Sequence, residues 1–492
     1  MSFIPTPEQA QALDLFDTGD RLVIEAGAGT GKTATLTLLA KEVPDKTVKY
    51  VAFNRAIVEE ARRKLPRYNS TADTAHSLAY QAVGRRYDHR LQRSGRMRSE
   101  EIAGILKIDP IDLTTTFGHR HLQARFLAGL VMRAVTVFCQ TADPEPGLQH
   151  IPRVENIDYA HRDDNNREVA AHILPKVRKA WKDLCDRNGK LQYRHDHYLK
   201  AWALTKPYIF ADVILFDEAQ DASDVMLGVV TGQDHAQLIF CGDSQQQIYA
   251  WNGAVNALGK IDGAHRTFLS QSFRFGPALA DEANRVLEWL DADMRLTGTP
   301  SIPSRVGILD QAPVVLCRTN AMAVSECVDL LDDGKKVALV GGAKEILNFA
   351  WAAKTLKDGK RTSHPELACF RNWHEVLDFV DEDAQGVELK ALVDLIDRFS
   401  PSLLTTMLRE LTDDERAAEV VVSTAHKSKG REWPEVRLAA DFPGDHVDEV
   451  PDLEPEELRL LYVAVTRAQL VLDHRRVALF HTTSTKAVPT HV

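Results

Sequence analysis

Ala26-Gly27-Ala28-Gly29-Thr30-Gly31-Lys32-Thr33 sets glycines, an amine and a hydroxyl between the apolar run Leu22-Val23-Ile24 and a helical stretch that starts at Lys32. Glycines let successive backbone N–H groups wrap phosphate oxygens, and the helix start adds its positive end. Lys32 can then reach the outer phosphates of a nucleoside triphosphate, and the Thr33 hydroxyl can hold Mg²⁺. The octet matches a P-loop, except that Ala26 stands at its first glycine. Such a loop needs a carboxylate on a neighbouring strand. The apolar run Val213-Ile214-Leu215-Phe216 ends in Asp217-Glu218-Ala219-Gln220-Asp221. Asp217 can hold Mg²⁺, and Glu218 can take a proton from an attacking water.

These groups require a sheet whose strands end side by side. Val213 to Phe216 and Leu238-Ile239-Phe240-Cys241 are continuous apolar runs, as expected of parallel strands covered on both faces. Val48 to Phe53 reads as a further strand and Arg55 to Lys64 as a charged helix. The alternation predicts an α/β fold with a doubly wound parallel sheet. From about 77 to 205 the pattern becomes mostly helical, as in an insertion. A second βα set follows at Val314 to Cys317, Val337 to Val340, Val420 to Val422, Val436 to Ala439 and Leu470 to Leu472, with a largely helical stretch over 344–418. The plan is two α/β domains, each carrying an insertion.

The chain has 492 residues, room for about three ordinary domains. Its 44% hydrophobic and 26% charged residues are ordinary globular usage and exclude collagen, coiled coil and wholesale disorder. A net charge of −10 argues against a basic coat but leaves room for a local basic groove. The six cysteines include no C-x-x-C pair, which disfavours a zinc finger or disulfide framework and fits a reducing compartment. No apolar run approaches the ~18 residues of a membrane helix, and residues 1–5 show no signal peptide. A soluble intracellular protein is expected, cytoplasmic or, in a eukaryote, nuclear, with no membrane partner.

Seven segments, in order along the chain, resemble the motifs of superfamily 1 helicases of the UvrD/Rep type. They are Thr6-Pro7-Glu8-Gln9, the P-loop, the acidic turn at Asp217, Gly242 to Trp251, Gln271-Ser272-Phe273-Arg274, Thr424 to Trp433, and Tyr462 to Ala468. Ala52 to Arg55, Thr74 to Tyr80 and Tyr198 to Trp202 are similar to the F-box DNA helicase branch. No segment reads as an F-box and nothing precedes the motor, so that branch's ubiquitin-ligase attachment is not expected. The resemblance implies two RecA-like domains. The first is 1–76 with 206–276, carrying the inserted subdomain 77–205. The second is 277–343 with 419–480, carrying the smaller 344–418, and 481–492 is a tail. It also implies ATP and Mg²⁺ as cofactors, with Ala26, Gly27, Ala28, Gly29, Thr30, Gly31, Lys32 and Thr33 around the phosphates. Gln9 would read the adenine edge and Phe273 would offer its ring to the base. Glu432 would bond the ribose, and Gln246 would sense the γ-phosphate or water. Arg274 and Arg467 would face the γ-phosphate from different parts of the chain, a task suited to arginine's fixed fork.

The same segments supply a face for single-stranded DNA and its junctions with duplex. Tyr249 and Trp251 lie two apart and in an extended segment point the same way; aromatic platforms stack bases without demanding sequence. Phe53, Asn54, His76 and His426 stand at motif positions that line the strand path in the family, and both histidines could equally be structural. Arg85, Arg86, Arg90, Arg93, Arg96 and Arg98, and then Lys176, Arg178, Lys179 and Lys182, could track phosphates or form solvated faces. Asp441 to Glu457 holds eight acids and no Lys or Arg, and reads as an exposed loop that avoids DNA. The expected activity is ATP-driven DNA unwinding or translocation, 3′→5′ by similarity. The alternatives are a translocase that mainly strips proteins from DNA and a nucleotide-gated scaffold without turnover. A monomer is compatible with the sequence, and protein partners are not legible in it. Since no recognised motif falls within 344–418, that stretch is expected to be dispensable for ATP hydrolysis and its ends to lie close together.

Overall fold

The computed structural model describes residues 4–481 apart from 53, 92–96, 116–117, 155–161, 250–255, 363, 365, 368–369, 383–386 and 444–452. In chain order the strands are β1 (Leu22–Ala26), β2 (Val48–Ala52), β3 (Ser70–Thr74), β4 (Ile111–Thr115), β5 (Gly118–Leu122), β6 (Val213–Phe216), β7 (Gln237–Gly242) and β8 (His265–Leu269). After them come β9 (Gln271–Ser272), β10 (Thr297–Gly298), β11 (Arg305–Val306), β12 (Val314–Cys317), β13 (Val337–Leu339), β14 (Val420–Thr424), β15 (Trp433–Leu438) and β16 (Ala468–Asp473). Two six-stranded sheets result, ordered β3-β2-β6-β7-β1-β8 and β11-β16-β15-β12-β14-β13. Every pairing within them is parallel. This is the fold expected from the sequence, two RecA-like domains in one chain. β6, β7 and β1 are neighbours, so the acidic turn, the segment after Gly242 and the P-loop leave the same edge side by side, where open α/β sheets place their ligands.

The two-residue period of a strand sorts the apolar side chains. In the first sheet Leu22, Ile24, Val213, Leu215, Ile239 and Cys241 join one core with the helices Pro7–Phe16, Lys32–Glu42 and Arg55–Lys64. The alternate residues Val23, Ile214, Phe216, Leu238 and Phe240 join another, which runs without a break into the insertion at Ala103, Leu130, Phe138, Val177 and Trp202. The second sheet divides likewise. Val314, Leu316, Val421 and Leu472 pack with the helices Pro277–Trp289 and Pro455–Val465, and Val315, Cys317, Val420 and Val422 share a core with Phe349, Leu356, Val376, Ile396 and Leu404 of the 344–418 stretch. Each insertion is therefore a covering layer of its own sheet.

This changes three readings. The ends of 344–418 are not neighbours: β13 and β14 run parallel (Val337 opposite Val420, Leu339 opposite Val422), so the chain leaves one end of the sheet and re-enters at the other. Excision would also uncover the core that Phe349 and Leu404 complete. Secondly, much of the basic character in 77–205 is spent internally. Arg90 is fully buried and donates to the carbonyls of Asp183 (3.3 Å), Leu184 (3.2 Å), Asp186 (2.6 Å) and Leu191 (2.7 Å), with its guanidinium over the Tyr193 ring. Lys176 and Lys179 donate to the carbonyls of Lys107, Ile105 and Leu106, closing the C-terminus of helix Ser99–Leu106, and Arg178 donates to Pro146 O. Arg93 and Arg96 lie outside the described residues. Thirdly, Asp441 accepts from the N–H groups of Arg318 (2.9 Å) and Thr319 (2.8 Å), and Glu457 takes the Arg318 guanidinium with both oxygens. These two acids are structural ties at the carboxyl end of β12, not part of an exposed acidic loop.

Arg90→Ala would leave four carbonyls without their donor inside a closed core. It should cost roughly 3 kcal/mol of stability, whereas Lys182→Ala, on an exposed side chain, should stay within about 0.5 kcal/mol. Thermal unfolding of the two variants checks this, and equal shifts would show that Arg90 is no keystone.

Candidate active site

Gly31 starts helix Lys32–Glu42 at φ 84°, and Gly29 has φ 74°. At Gly29 a Cβ would fall 2.6 Å from Arg274 Cβ and 2.7 Å from Ser272 Oγ, so only glycine lets the loop lie against the Ser272–Arg274 segment. The contact is sealed by Phe273 N–H to Gly29 O (2.8 Å) and Ser272 Oγ to Ala28 O (2.9 Å). A Cβ on Gly31 would lie 3.6 Å from both Gln9 Nε2 and the Phe273 ring. The ring is 47% exposed, an unusual state for phenylalanine and a free face beside the loop. Gln9 is buried. Its Nε2 donates to Thr35 Oγ1 (3.1 Å) and its Oε1 accepts from Thr6 N–H (3.1 Å), so the amide is held in one orientation with one hydrogen and one lone pair to spare.

Beneath the loop lies a set of buried charges. Asp217 accepts from the Tyr50 hydroxyl and from Glu218 N–H (2.9 Å). Glu218 is held in a left-handed conformation, φ 51°, and accepts from Gln220 Nε2. Burial, then the charge of Glu218, raises the Asp217 carboxyl, whereas Glu218 itself, despite burial, is kept low by Lys32 and then Lys429. Burial opposes the charge on Lys32, but Glu218, Asp243 and Asp217 outweigh it and hold the ammonium above its ordinary range. Glu25 on β1 receives Ser244 N–H (2.7 Å) and Ser244 Oγ–H (2.9 Å), and burial, with Asp243 adding to it, pushes it up to about 7. Glu25 was not singled out in the sequence. An acid within an otherwise apolar β1, one residue before the P-loop, was the available signal.

The second domain reaches into this set. Lys429 Nζ donates to Asp221 Oδ2 (2.5 Å) and to Gln246 O (2.6 Å), and lies 5.1 Å from the centre of the Tyr249 ring. Both partners of the ion pair are nearly buried. Its role is a cross-domain contact, legible in sequence only as one lysine of a motif. The Gln246 side chain donates to Asp243 Oδ2 (2.7 Å). Arg274 donates to Glu432 Oε2 (2.6 Å) and to Thr466 O (2.9 Å), so Glu432, expected on a ribose, here orients an arginine. Arg467 is buried and donates to Val463 O (2.8 Å), Arg431 O (3.1 Å) and Thr466 Oγ1 (2.9 Å), all neutral acceptors. Burial and then the neighbouring Arg274 lower its proton affinity, while Asp243 and Glu218 sustain its charge. Two guanidiniums thus stand close together at the acidic turn, a pairing that an anion would relieve.

The expected DNA-side residues fall less evenly. Phe53 and Trp251 lie outside the described residues. Asn54 caps helix Arg55–Lys64, its Oδ1 accepting from Ile57 N–H (3.0 Å). His76 Nε2 stands 3.4 Å from Asp196 and its ring meets Tyr198 edge-on, so it joins the first domain to its insertion. Tyr249 is half-buried, its hydroxyl 3.5 Å from His426 O. Burial holds the His426 imidazole below its ordinary range, so it is neutral at pH 7. Tyr249 and His426 therefore meet across the two domains.

For the implied Mg²⁺, the donors fit. Asp217 and Thr33 are hard oxygen ligands, and Mg²⁺ beside phosphates needs only one or two carboxylates. Glu25, Asp217, Glu218 and Asp243 crowd a single lysine, an excess of acid that a divalent cation would offset.

A P-loop on one parallel sheet, met by Arg467 from a second and by Arg274 beside it, defines a two-domain P-loop nucleotide site. Residues 5–260 match the UvrD/REP helicase N-terminal domain, and residues 342–473 match the UvrD-like helicase C-terminal domain. The chain belongs to the UvrD/REP helicase family. It is similar to the F-box DNA helicase protein 1 of Schizosaccharomyces pombe (30% identity, covering 96% of this chain and 58% of that protein). It is also similar to the F-box DNA helicase 1 of Gallus gallus (27%, 95% and 48%) and the DNA helicase II of Escherichia coli (25%, 63% and 46%). The chain spans about half the length of the curated relatives it matches. Among the described residues no helix is long and apolar enough to cross a membrane.

Glu25 gives a pH signature. Its folded value, about 7 against an ordinary 4.5, means that the folded state keeps a proton which the unfolded chain releases. Its contribution to stability is present below about pH 4.5 and is lost as pH rises through 7. Glu25→Gln, which cannot ionise, should gain on the natural protein over that interval, by up to roughly 2–3 kcal/mol. Thermal midpoints from pH 4.5 to 7.5 test this; a gap that narrows with rising pH would contradict it.

Proposed function

We propose that the chain is an ATP-driven DNA helicase or translocase that moves 3′→5′ on single strands and couples hydrolysis to strand separation. The observation that carries this reading is the meeting of Lys32, Asp217 and Glu218 with Arg274 and Arg467, groups from separate sheets gathered at one carboxyl edge. In this reading Gln9 and Phe273 hold the adenine, the first by its spare donor and acceptor, the second by its open ring. The amides of Gly29 to Thr33 and the Lys32 ammonium bind the phosphates. Asp217 and Thr33 hold Mg²⁺, which when bound supplies positive charge at the phosphate oxygens. Glu218, ionised at neutral pH, orients the attacking water and takes its proton, and the Gln246 amide, held on Asp243, senses the γ-phosphate or water. Arg274 and Arg467 spread positive charge over the transferring phosphoryl group.

Coupling to DNA follows from Tyr249. It lies three residues after Gln246, and its ring touches His426 and Lys429 of the second domain. A change in how Lys429 holds Gln246 and Asp221 would therefore reach a ring that can stack on a base. ATP hydrolysis measured with and without single-stranded DNA, then unwinding of duplexes with 3′ or 5′ tails, tests the whole reading. Stimulation by the strand and unwinding from 3′ tails are expected. Stimulated hydrolysis with protein displacement but no unwinding would assign the stripping activity, and absent hydrolysis would leave a scaffold.

Lys32→Ala and Arg467→Ala should each lower DNA-stimulated kcat by at least about 10²-fold; near-normal turnover in Arg467→Ala would refute the two-domain site. Tyr249→Ala should weaken single-strand binding by roughly 1–3 kcal/mol, read by fluorescence titration. A fall in thermal midpoint with unchanged affinity would make the ring core packing instead.

A further inference from the structure

Tyr462 is fully buried in helix Pro455–Val465, on the second domain, yet its hydroxyl is bonded to the first. It accepts from the P-loop amide Ala28 N–H (3.4 Å) and donates to Asp243 Oδ2 (3.3 Å), the oxygen that also receives the Gln246 amide (2.7 Å). The other end of the residue is engaged as well. Tyr462 O accepts from Thr466 Oγ1 (2.8 Å), and Thr466 Oγ1 accepts from Arg467 Nη2 (2.9 Å). One residue therefore spans the cleft. Its phenol is fixed to the phosphate loop and to the carboxylate that holds Gln246, and its carbonyl is fixed, through one hydroxyl, to the far-side guanidinium.

We propose that Tyr462 is a positioning residue for ATP turnover, setting the placement of Arg467 relative to the P-loop. This rests on the reading of Arg467 as a γ-phosphate group. The phenol itself takes no part in the chemistry. Asp243 is the natural acceptor because it is a buried carboxylate whose second donor, Gln246, leaves it room for another. Ala28 is the natural donor because the carbonyl of the same peptide unit, Gly27 O, accepts from Thr30 Oγ1 (3.0 Å), which holds that unit in place. Movement of the P-loop on nucleotide binding is transmitted through a rigid ring to the helix that ends two residues before Arg467, with no flexible side chain in between. Arginine alone could not be placed so closely, since each of its own hydrogen bonds is made within the second domain.

The test removes one oxygen. Tyr462→Phe keeps the ring and its packing and deletes both cross-cleft hydrogen bonds. DNA-stimulated kcat should fall about tenfold, the loss expected when buried partners are left unpaired in the reacting geometry, with KM for ATP within about twofold. Thr466→Val, which cuts the other leg, should reproduce the kcat loss. It also keeps the inference falsifiable if the Phe variant folds poorly. The effects should not add: in an Arg467→Lys background, Tyr462→Phe should change kcat by less than about twofold, because there is no longer a guanidinium to place. A merely structural tyrosine would lower the thermal midpoint in every background and leave kcat per folded molecule unchanged. Unchanged kcat in Tyr462→Phe, or full additivity with Arg467→Lys, overturns the proposal. If Arg467→Ala itself turns over normally, the γ-phosphate reading fails first; if Arg467→Ala is slow and Tyr462→Phe is not, only the positioning role fails.

Discussion

Charge that cannot reach water governs this molecule. Lys32 is buried with Glu25, Asp217, Glu218 and Asp243, and four carboxyls around one ammonium leave an excess of negative potential in a poorly polarisable medium. Each compensation in the site answers that excess. Asp217 and Glu25 hold protons to higher pH than free carboxyls do; Tyr50, Gln220 and Ser244 each place a donor on a carboxylate; and Lys429 and Arg467 bring cationic charge from the second sheet. The two domains meet here because the acids of one need the bases of the other.

The remainder of the fold is held together differently, by apolar packing. Both insertions are joined to their sheets by continuous apolar cores. Between the domains the apolar continuity is limited: Ala28, Ile248 and Phe275 are first-domain residues within the second domain's core. Most of the bridge consists of hydrogen bonds and the Lys429–Asp221 ion pair. Such contacts can be exchanged for others of similar strength without opening a cavity, which packed methyl groups cannot.

The parts legible in the sequence were those whose chemistry is contained in consecutive residues. The P-loop, the Asp217 turn and the apolar runs of β6 and β7 could be read directly, because phosphate binding and two-sided burial each impose a short local pattern. β3, with the sequence Ser-Thr-Ala-Asp-Thr at a sheet edge, and the β4–β5 hairpin within a mostly helical stretch lack that pattern and were not foreseen. Charge misled in both directions. Arg90, Lys176 and Lys179 read as a phosphate track or a solvated face and prove to be donors to backbone carbonyls, since long side chains can bury their stems and deliver their heads to a helix end. Lys429 and Tyr462 carry the cross-domain contacts, but their partners lie from 183 to 434 positions away in the chain, and no local spacing announces such a meeting.

Glu218 shows what a site of this kind asks of the polypeptide. Its backbone sits where a side chain is uncomfortable, at φ 51°, at the point where the chain leaves β6 for the acidic turn. Glycine would relax there, and asparagine nearly so. Either would remove the carboxylate, so on the proposed reading, in which Glu218 takes the proton of the attacking water, the most comfortable residue for the backbone is a useless one for the reaction. Selection for heat resistance and selection for turnover pull this position in opposite directions. A thermostability screen blind to activity would be drawn to it early and would return a sturdier protein without the proposed base.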